Sequence, residues 1–298
     1  MTIDISEFRH LYPYKSNFHT INGLKYHYVD EGEGDPVIMV HGNPTWSFYY
    51  RSLINALKDN YRTIAVDHIG CGLSDKPPVS DYDYRLESRV NDLENLIETL
   101  NIEKKLTLIV HDWGGMIGLA YAVRHPEKIG RIILTNTSGF LPPGKGIPFR
   151  LWLMRYITPL AKVATLGLNL FSKAAIYMAP FKKLPEDVRK GLTAPYNNWK
   201  NRIATYKFVQ DIPLKKGDFS FDLVESVDKN LETLKNIPML FCWGEHDFIF
   251  TMEYFFEWKR RFPEAEKHLF PTAGHYILED EPEKVSELIK EFLKNNPL

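Results

Sequence analysis

Cysteine is nearly absent from this chain. Cys71 and Cys242 are the only two, far apart and in neither a CxxC pair nor a Cys/His metal spacing, which argues against a disulfide framework or a structural zinc. A surplus of one charge is missing as well: 37 Lys and Arg stand against 38 Asp and Glu, for a formal charge of −1. Without a basic excess to neutralise several phosphates, nucleic acid is not an expected partner. No uncharged apolar run approaches the roughly 20 residues of a membrane span. The most apolar stretch, Leu151 to Ala179, is interrupted by Arg155, Lys162 and Lys173. The opening residues MTIDISEFRH lack the basic start and apolar core of a secretory leader, so a cytoplasmic location is the expectation. Low-complexity tracts, internal repeats and long Gly/Ser linkers are lacking too.

What is present is a chain of 298 residues, 44% of them apolar, long enough to bury about 75% of its unfolded surface in one large domain with an inserted subdomain. Short β-rich apolar runs alternate with helical spacing, the pattern of an α/β fold with a mostly parallel central sheet flanked by helices. Buried strands are expected at Val37 to Val40, Arg62 to Val66, Leu106 to Val110, Arg131 to Thr135, Met239 to Trp243 and Lys267 to Phe270. Asn17 to Thr20 and Leu24 to Asp30 read as an antiparallel entry hairpin turning at Asn22-Gly23. Helices are expected over Ser47 to Leu57, Tyr84 to Leu100, Trp113 to His125 and Pro282 to Lys294.

The connection from Thr135 to Met239 is far longer than an ordinary crossover loop. Its apolar content, punctuated by Pro142, Pro143, Pro148, Pro159, Pro180, Pro185 and Pro195, predicts short helices forming a lid over the C-terminal strand ends, where ligands of open α/β sheets bind. The expected division is a core of residues 1–138 and 215–298 and a helical cap of residues 139–214. From Leu141 to Pro185 the chain carries Lys145, Arg150, Arg155, Lys162, Lys173, Lys182 and Lys183 and no acidic residue. A solvated basic rim is the first reading of that pattern, and a peripheral membrane or protein contact the second.

Chemistry concentrates in four motifs. In LTLIVHDWGGMIG, residues 106 to 118, a buried strand meets Asp112, then Gly114 and Gly115, then a helix. Such a strand-turn-helix elbow presents one side chain above the sheet and needs small neighbours, because a Cβ would strike adjacent backbone. Asp112 there is a candidate nucleophile where serine is commoner; the plain alternative is a helix N-cap. GHYILEDEP supplies His275 as a base, and WGEHDFIF supplies Asp247 as the acid orienting it, with Glu245 a competitor. Nucleophile, acid, histidine is the chain order of α/β hydrolases. In VIMVHGNPTWSFYYR, residues 37 to 51, backbone N–H groups of the loop can complete an oxyanion hole with that of Trp113. The side chains of Asn43 and Trp113 each offer an N–H donor to a departing anion such as a halide.

With HGNPTWSFYYR, VDHIGCGLSDKP, HDWGG, WGEHD and GHYILEDEP in place, the chain resembles the haloalkane dehalogenase family of the α/β hydrolases over nearly its whole length. The resemblance implies Asp112 as nucleophile, His275 as base, Asp247 as triad acid, and Asn43 with Trp113 as the halide and oxyanion donors, with no metal or organic cofactor. One large subfamily draws its acid from just after the sixth strand. Here that region reads ILTNTSGF with Asn136, so the likeness is to subfamilies whose acid follows the next strand, the third above all. That pattern also resembles β-lactone decarboxylases of long-chain olefin biosynthesis, which share the same five residues.

The implied chemistry is displacement at a saturated carbon by the Asp112 carboxylate, giving an ester that His275 resolves by activating water. Hydrolysis of a haloalkane to alcohol and halide is the first expectation. Opening of a β-lactone with loss of carbon dioxide is the second, and epoxide hydrolysis, which would need two cap tyrosines to protonate the epoxide oxygen, drawn from Tyr156, Tyr177, Tyr196 and Tyr206, the third. The partners expected are a small apolar substrate and water. Trp46, Phe140, Trp152, Met178, Phe181, Leu214 and Tyr276 are candidate pocket-lining residues, with core packing the alternative for each. Arg51, Asp67, Asp75 and Tyr82 lie in or near the motifs without an assigned chemistry; Asp67 with Gly70 and Gly72 is expected to shape a turn.

Overall fold

Eight strands pair into one sheet in the order β1-β2-β4-β3-β5-β6-β7-β8. In the computed structural model, which describes residues 3–144 and 147–298, they are β1 (Asn17–Ile21), β2 (Leu24–Glu31), β3 (Asp35–Val40), β4 (Tyr61–Asp67), β5 (Leu106–Asp112), β6 (Ile129–Thr137), β7 (Met239–Gly244) and β8 (Glu266–Phe270). The β1–β2 and β2–β4 pairings are antiparallel, and every pairing from β4 onward through β3 to β8 is parallel. Asn22 and Gly23 both take positive φ, 50° and 82°, as the two-residue hairpin turn requires.

Period-two alternation sends each strand's side chains to two cores. Ile38, Val40, Leu108, Val110, Ile132 and Leu134 enter one cluster, while Val37, Met39, Ile109 and Ile133 enter the other. Helices α2 (Leu86–Thr99) and α3 (Trp113–Arg124) cover the first face; α1 (Arg51–Leu57) and the C-terminal helix Pro282–Asn295 cover the second. The helix expected from Tyr84 begins two residues later. Tyr84 sits at φ 62°, outside helical space, with its hydroxyl donating to the Pro77 carbonyl at 2.5 Å. The helix expected from Ser47 opens instead with a 3₁₀ turn, Ser47–Tyr50.

Asp67 ends β4 fully buried and holds the turn it was expected to shape. Its carboxylate accepts from the Ser47 N–H at 2.7 Å, the Leu73 N–H at 2.8 Å and the His27 ring at 2.8 Å. Burial opposes its charge, but His27 and these donors outweigh that and hold its carboxyl well below the usual range. A Cβ at Gly72, where φ is 46°, would collide with this carboxylate. Asp67→Ala is expected to destabilise the protein by about 3–5 kcal/mol, because it strands buried donors at both loops. A lowered urea midpoint at unchanged slope is the measurement.

Between β6 and β7 the chain runs through helices Phe149–Tyr156, Leu170–Met178, Glu186–Thr193, Ile203–Gln210 and Phe221–Asn230, with shorter helical turns between them. Pro148 and Pro185 stand at the N-caps and Pro159 in the first turn of Thr158–Ala161, where a missing N–H does no harm. Hydrogen bonds tie this segment to the sheet's upper edge: the Trp46 indole donates to the Gly191 carbonyl at 2.9 Å, and the Tyr196 hydroxyl to the Thr45 carbonyl at 3.2 Å. Of the basic set, Lys145 and the side chain of Arg150 lie outside the described residues. Among the described residues no helix is long and apolar enough to cross a membrane.

Candidate active site

Asp112 closes β5 and precedes α3 at φ 52°, ψ −128°, a conformation that L-residues rarely adopt. The small residues of the motif permit it. A Cβ at Gly114 would strike the Val40 carbonyl, one at Gly115 the Thr137 hydroxyl, and one at Gly42 the Asp112 carboxylate itself. The carboxylate makes no cap hydrogen bond to α3, so the N-cap alternative is set aside. Instead Oδ1 accepts the Asn43 backbone N–H at 2.6 Å, and Oδ2 lies 3.5 Å from His275 Nε2.

His275 is buried, with Nδ1 donating to Asp247 Oδ2 at 2.7 Å. Asp247 is held from all sides: Asn136 Nδ2 donates to Oδ2 at 3.0 Å, and the N–H groups of Ile249 and Phe250 reach Oδ1 at 2.7 and 3.0 Å. Glu245, the alternative acid, is solvent-exposed. Burial disfavours the charged imidazole of His275, yet Asp247 and Asp112 more than offset it and raise its basicity. Burial likewise opposes ionisation of Asp112, but His275, His111 and the Asn43 N–H outweigh it and lower its pKa. Asp112 is therefore a carboxylate at neutral pH, the form a nucleophile needs.

Two residues that sequence reasoning gave no role complete the arrangement. Asn136 stands at φ 39° in β6 and braces Asp247 and Gly244 with its amide. His111 lies 4.6 Å ring to ring from His275 with its Nδ1 on the Thr135 carbonyl. Burial, and then His275, depress its pKa to about 3, so it packs as a neutral ring. An Asn in place of the sixth-strand acid was the one readable signal; His111 gave none.

Asn43 Nδ2 donates one hydrogen to the Thr205 carbonyl at 3.1 Å, leaving its second N–H available, and Trp113 lies with its ring 5.4 Å from Phe208. Two apolar cavities meet at Asn43. The inner, about 100 Å³, is lined by Asn43, Asp112, Trp113, Phe140, Val209 and Tyr254 among others. The outer, about 670 Å³, is lined by Asn43, Phe149, Leu170, Met178, His275 and Tyr276 among others. Asn43, Leu151, Phe171 and Ile249 border both.

Of the seven candidate lining residues, Phe140, Met178 and Tyr276 face these cavities. The others do not. Trp46 is fully buried between Phe8, Tyr12 and Phe48 as an anchor for the inserted segment. Trp152 is on the outside, stacked on Phe149 and in tilted contact with Tyr156. Phe181 covers the His246 ring at 4.6 Å, and Leu214 is tied into a local turn through its N–H to Asp218. Tyr156, Tyr177, Tyr196 and Tyr206 are absent from the linings of both cavities. Arg51 forms a bidentate pair with Glu279 at 2.6 Å, Asp75 receives the Lys25 N–H at 2.8 Å, and Tyr82 donates to Asp92 at 2.6 Å. All three are structural contacts away from the cavities.

Comparison with known proteins places the fold and the family. The alpha/beta hydrolase fold family matches residues 35–282. The chain is 48% identical over 285 residues to a cis-3-alkyl-4-alkyloxetan-2-one decarboxylase of Shewanella oneidensis, covering 95% of this chain and 89% of that one. It is 30% identical over 293 residues to haloalkane dehalogenase 2 of Mycobacterium tuberculosis, covering 98% and 99%. The crystal structure of a haloalkane dehalogenase from Agrobacterium tumefaciens superposes with a TM-score of 0.84 at 22% identity, covering 95% and 97%, a likeness of fold.

Proposed function

The chain belongs to the alpha/beta hydrolase family, and from that premise we propose that it opens β-lactones bearing two alkyl chains and releases carbon dioxide to leave an alkene. The observation that carries this reading is a pair of apolar cavities that share Asn43, one bordered by the Asp112 carboxylate and the other by His275. A lactone substituted at adjacent ring carbons sends two hydrocarbon arms away from the reacting centre; a simple haloalkane sends one. The greater identity to a relative named for such a lactone supports the same choice over dehalogenation. Residues 139–214 act as the cap in this reading, over a core of residues 1–138 and 215–298, in a protein of the cytoplasm.

The mechanism follows from the positions of the charges. Asp112 Oδ2 attacks the ring carbon that bears the ring oxygen; that C–O bond breaks, and its electron pair leaves a carboxylate on the neighbouring carbon. The Asn43 amide and the Trp113 indole N–H receive the new anion where a halide would otherwise depart. The bond from carbon to that carboxylate then breaks, its pair forms the C=C bond, and the ester C–O bond breaks to restore the Asp112 carboxylate. Carbon dioxide and alkene are the products, and no water is consumed. Attack from behind followed by anti departure returns both alkyl groups to one side, so a cis lactone gives a cis alkene.

Hydrolytic dehalogenation stays as a second reading, because the same two donors suit a halide and His275 can deliver water to the Asp112 ester. Purified protein given a cis-dialkyl β-lactone, a bromoalkane and an epoxide separates the cases by alkene, bromide and diol. Cis alkene without bromide or diol is the expected result; bromide without alkene overturns the proposal. Trp113→Phe keeps the aromatic packing and removes one donor, and is expected to lower kcat on the lactone by about 10²–10³-fold with little change in KM. Steady-state kinetics checks this.

A further inference from the structure

We infer that the outer face of the inserted segment docks on an anionic lipid surface, placing the mouth of the outer cavity against the bilayer. The wall of that cavity and the surface of the protein share side chains. Phe149, Leu170 and Phe248 line the cavity and are 71%, 50% and 40% exposed, so the opening is rimmed with hydrocarbon. Outward from this rim, Trp152, Leu160 and Val163 are also exposed, by 43%, 48% and 57%, and Trp152 links Phe149 to Tyr156 in a ladder of ring contacts. Single exposed apolar side chains are ordinary; a cluster around a cavity mouth marks an interface.

Charge selects the occupant. Residues 141–185 carry seven basic side chains and no acidic one. Arg155 is neutralised by Asp218 at 3.3 Å and Lys182 by Glu281 at 2.6 Å. Lys162, Lys173 and Lys183 form no ion pair among the described residues, so their ammonium groups are open to an external anion. Exposed aromatic and aliphatic side chains in a segment that carries unpaired lysines and no acid of its own match the boundary between acyl chains and anionic headgroups, although Asp4 and Glu7 share a groove with Lys173 and Glu253 borders Pro148. A second copy fits poorly, since a two-fold contact would set this basic face against itself. Delivery of a two-armed apolar substrate from the lipid phase is the use such docking serves, and that use rests on the lactone reading; the docking itself does not.

The test is flotation of the purified protein with vesicles of phosphatidylglycerol and phosphatidylethanolamine, against vesicles of phosphatidylcholine. The protein is expected to float with the anionic vesicles, less so at high salt, and to stay behind with the zwitterionic ones. Lys162→Glu and Lys173→Glu should each weaken binding about fivefold or more. Trp152→Glu with Leu160→Glu should reduce it at least tenfold. Neither Trp152 nor Leu160 lines a cavity, so turnover of a short, water-dissolved lactone should be unchanged. Absence of flotation, equal flotation with phosphatidylcholine, or a dimer that the Trp152 and Leu160 variants dissociate without any vesicle binding each overturns the inference. Flotation is read without turnover, so its failure leaves the reaction standing, and a floating protein that makes no alkene removes only the reaction.

Discussion

Asp112→Asn is expected to lower turnover by about four to six orders of magnitude on a β-lactone and on a bromoalkane alike. Both routes begin with the same bond, from Asp112 Oδ2 to a saturated carbon, and a neutral amide lacks the negative charge that makes the carboxylate oxygen nucleophilic enough to form it. The variant should still fold. Asparagine matches the side chain in size, tolerates the positive φ of 52°, and can keep the Asn43 N–H on its Oδ1. Circular dichroism close to the parent's therefore accompanies the loss of rate. Deamidation would restore aspartate, so mass spectrometry of the assayed sample is part of the measurement. Parent-like rates from a sample whose mass still shows the amide would remove the nucleophile assignment, and with it both chemistries.

The strands were legible because a buried parallel strand has to be both apolar and β-rich, and few other segments of the chain are. Ile109 and Val110 point to opposite cores, and both are required to be hydrophobic. The elbow was legible because its glycines answer to specific collisions, with the Val40 carbonyl and with Thr137. Asp247 was preferred to Glu245, but what holds it in place, the convergence of the Ile249 and Phe250 N–H groups on its carboxylate, is not written in two carboxylates two residues apart. Pocket lining was legible only in part. Trp46, Trp152 and Met178 are equally apolar on paper, and a run of short helices broken by prolines gives no phase by which to tell core, exterior and cavity apart. The hold on Asn43 was beyond reach for another reason, since its acceptor is the backbone carbonyl of Thr205, and any residue there supplies one.

His275→Phe should separate the two chemistries by their need for water. In the hydrolytic route the Asp112 ester leaves only when water attacks its carbonyl, and only an imidazole can take the proton from that water. Phenylalanine preserves the ring contacts to His111 and Phe250, at 4.6 and 5.8 Å, while removing the base. With a bromoalkane, one equivalent of bromide should then appear in a burst, the protein should gain the mass of the alkyl group, and steady turnover should fall by about 10⁴-fold or more. With the lactone the ester collapses by expelling carbon dioxide, so alkene formation should persist within about a hundredfold of the parent. The pH dependence carries the same distinction. In the resting site burial disfavours the His275 imidazolium, but Asp247 and Asp112 stabilise it more, and the ring is protonated at neutral pH. Esterification cancels the charge on Asp112, and the basicity of His275 drops. Bromoalkane ester hydrolysis should therefore rise with pH through a pKa below the one His275 shows by NMR in the free enzyme. Alkene release depends on the Asp112 carboxylate, whose pKa is already lowered, and should stay flat over that interval. Loss of alkene as complete as the loss of bromide turnover, in a folded His275→Phe protein, would show that the lactone reaction also needs a proton acceptor and that the water-free collapse is wrong.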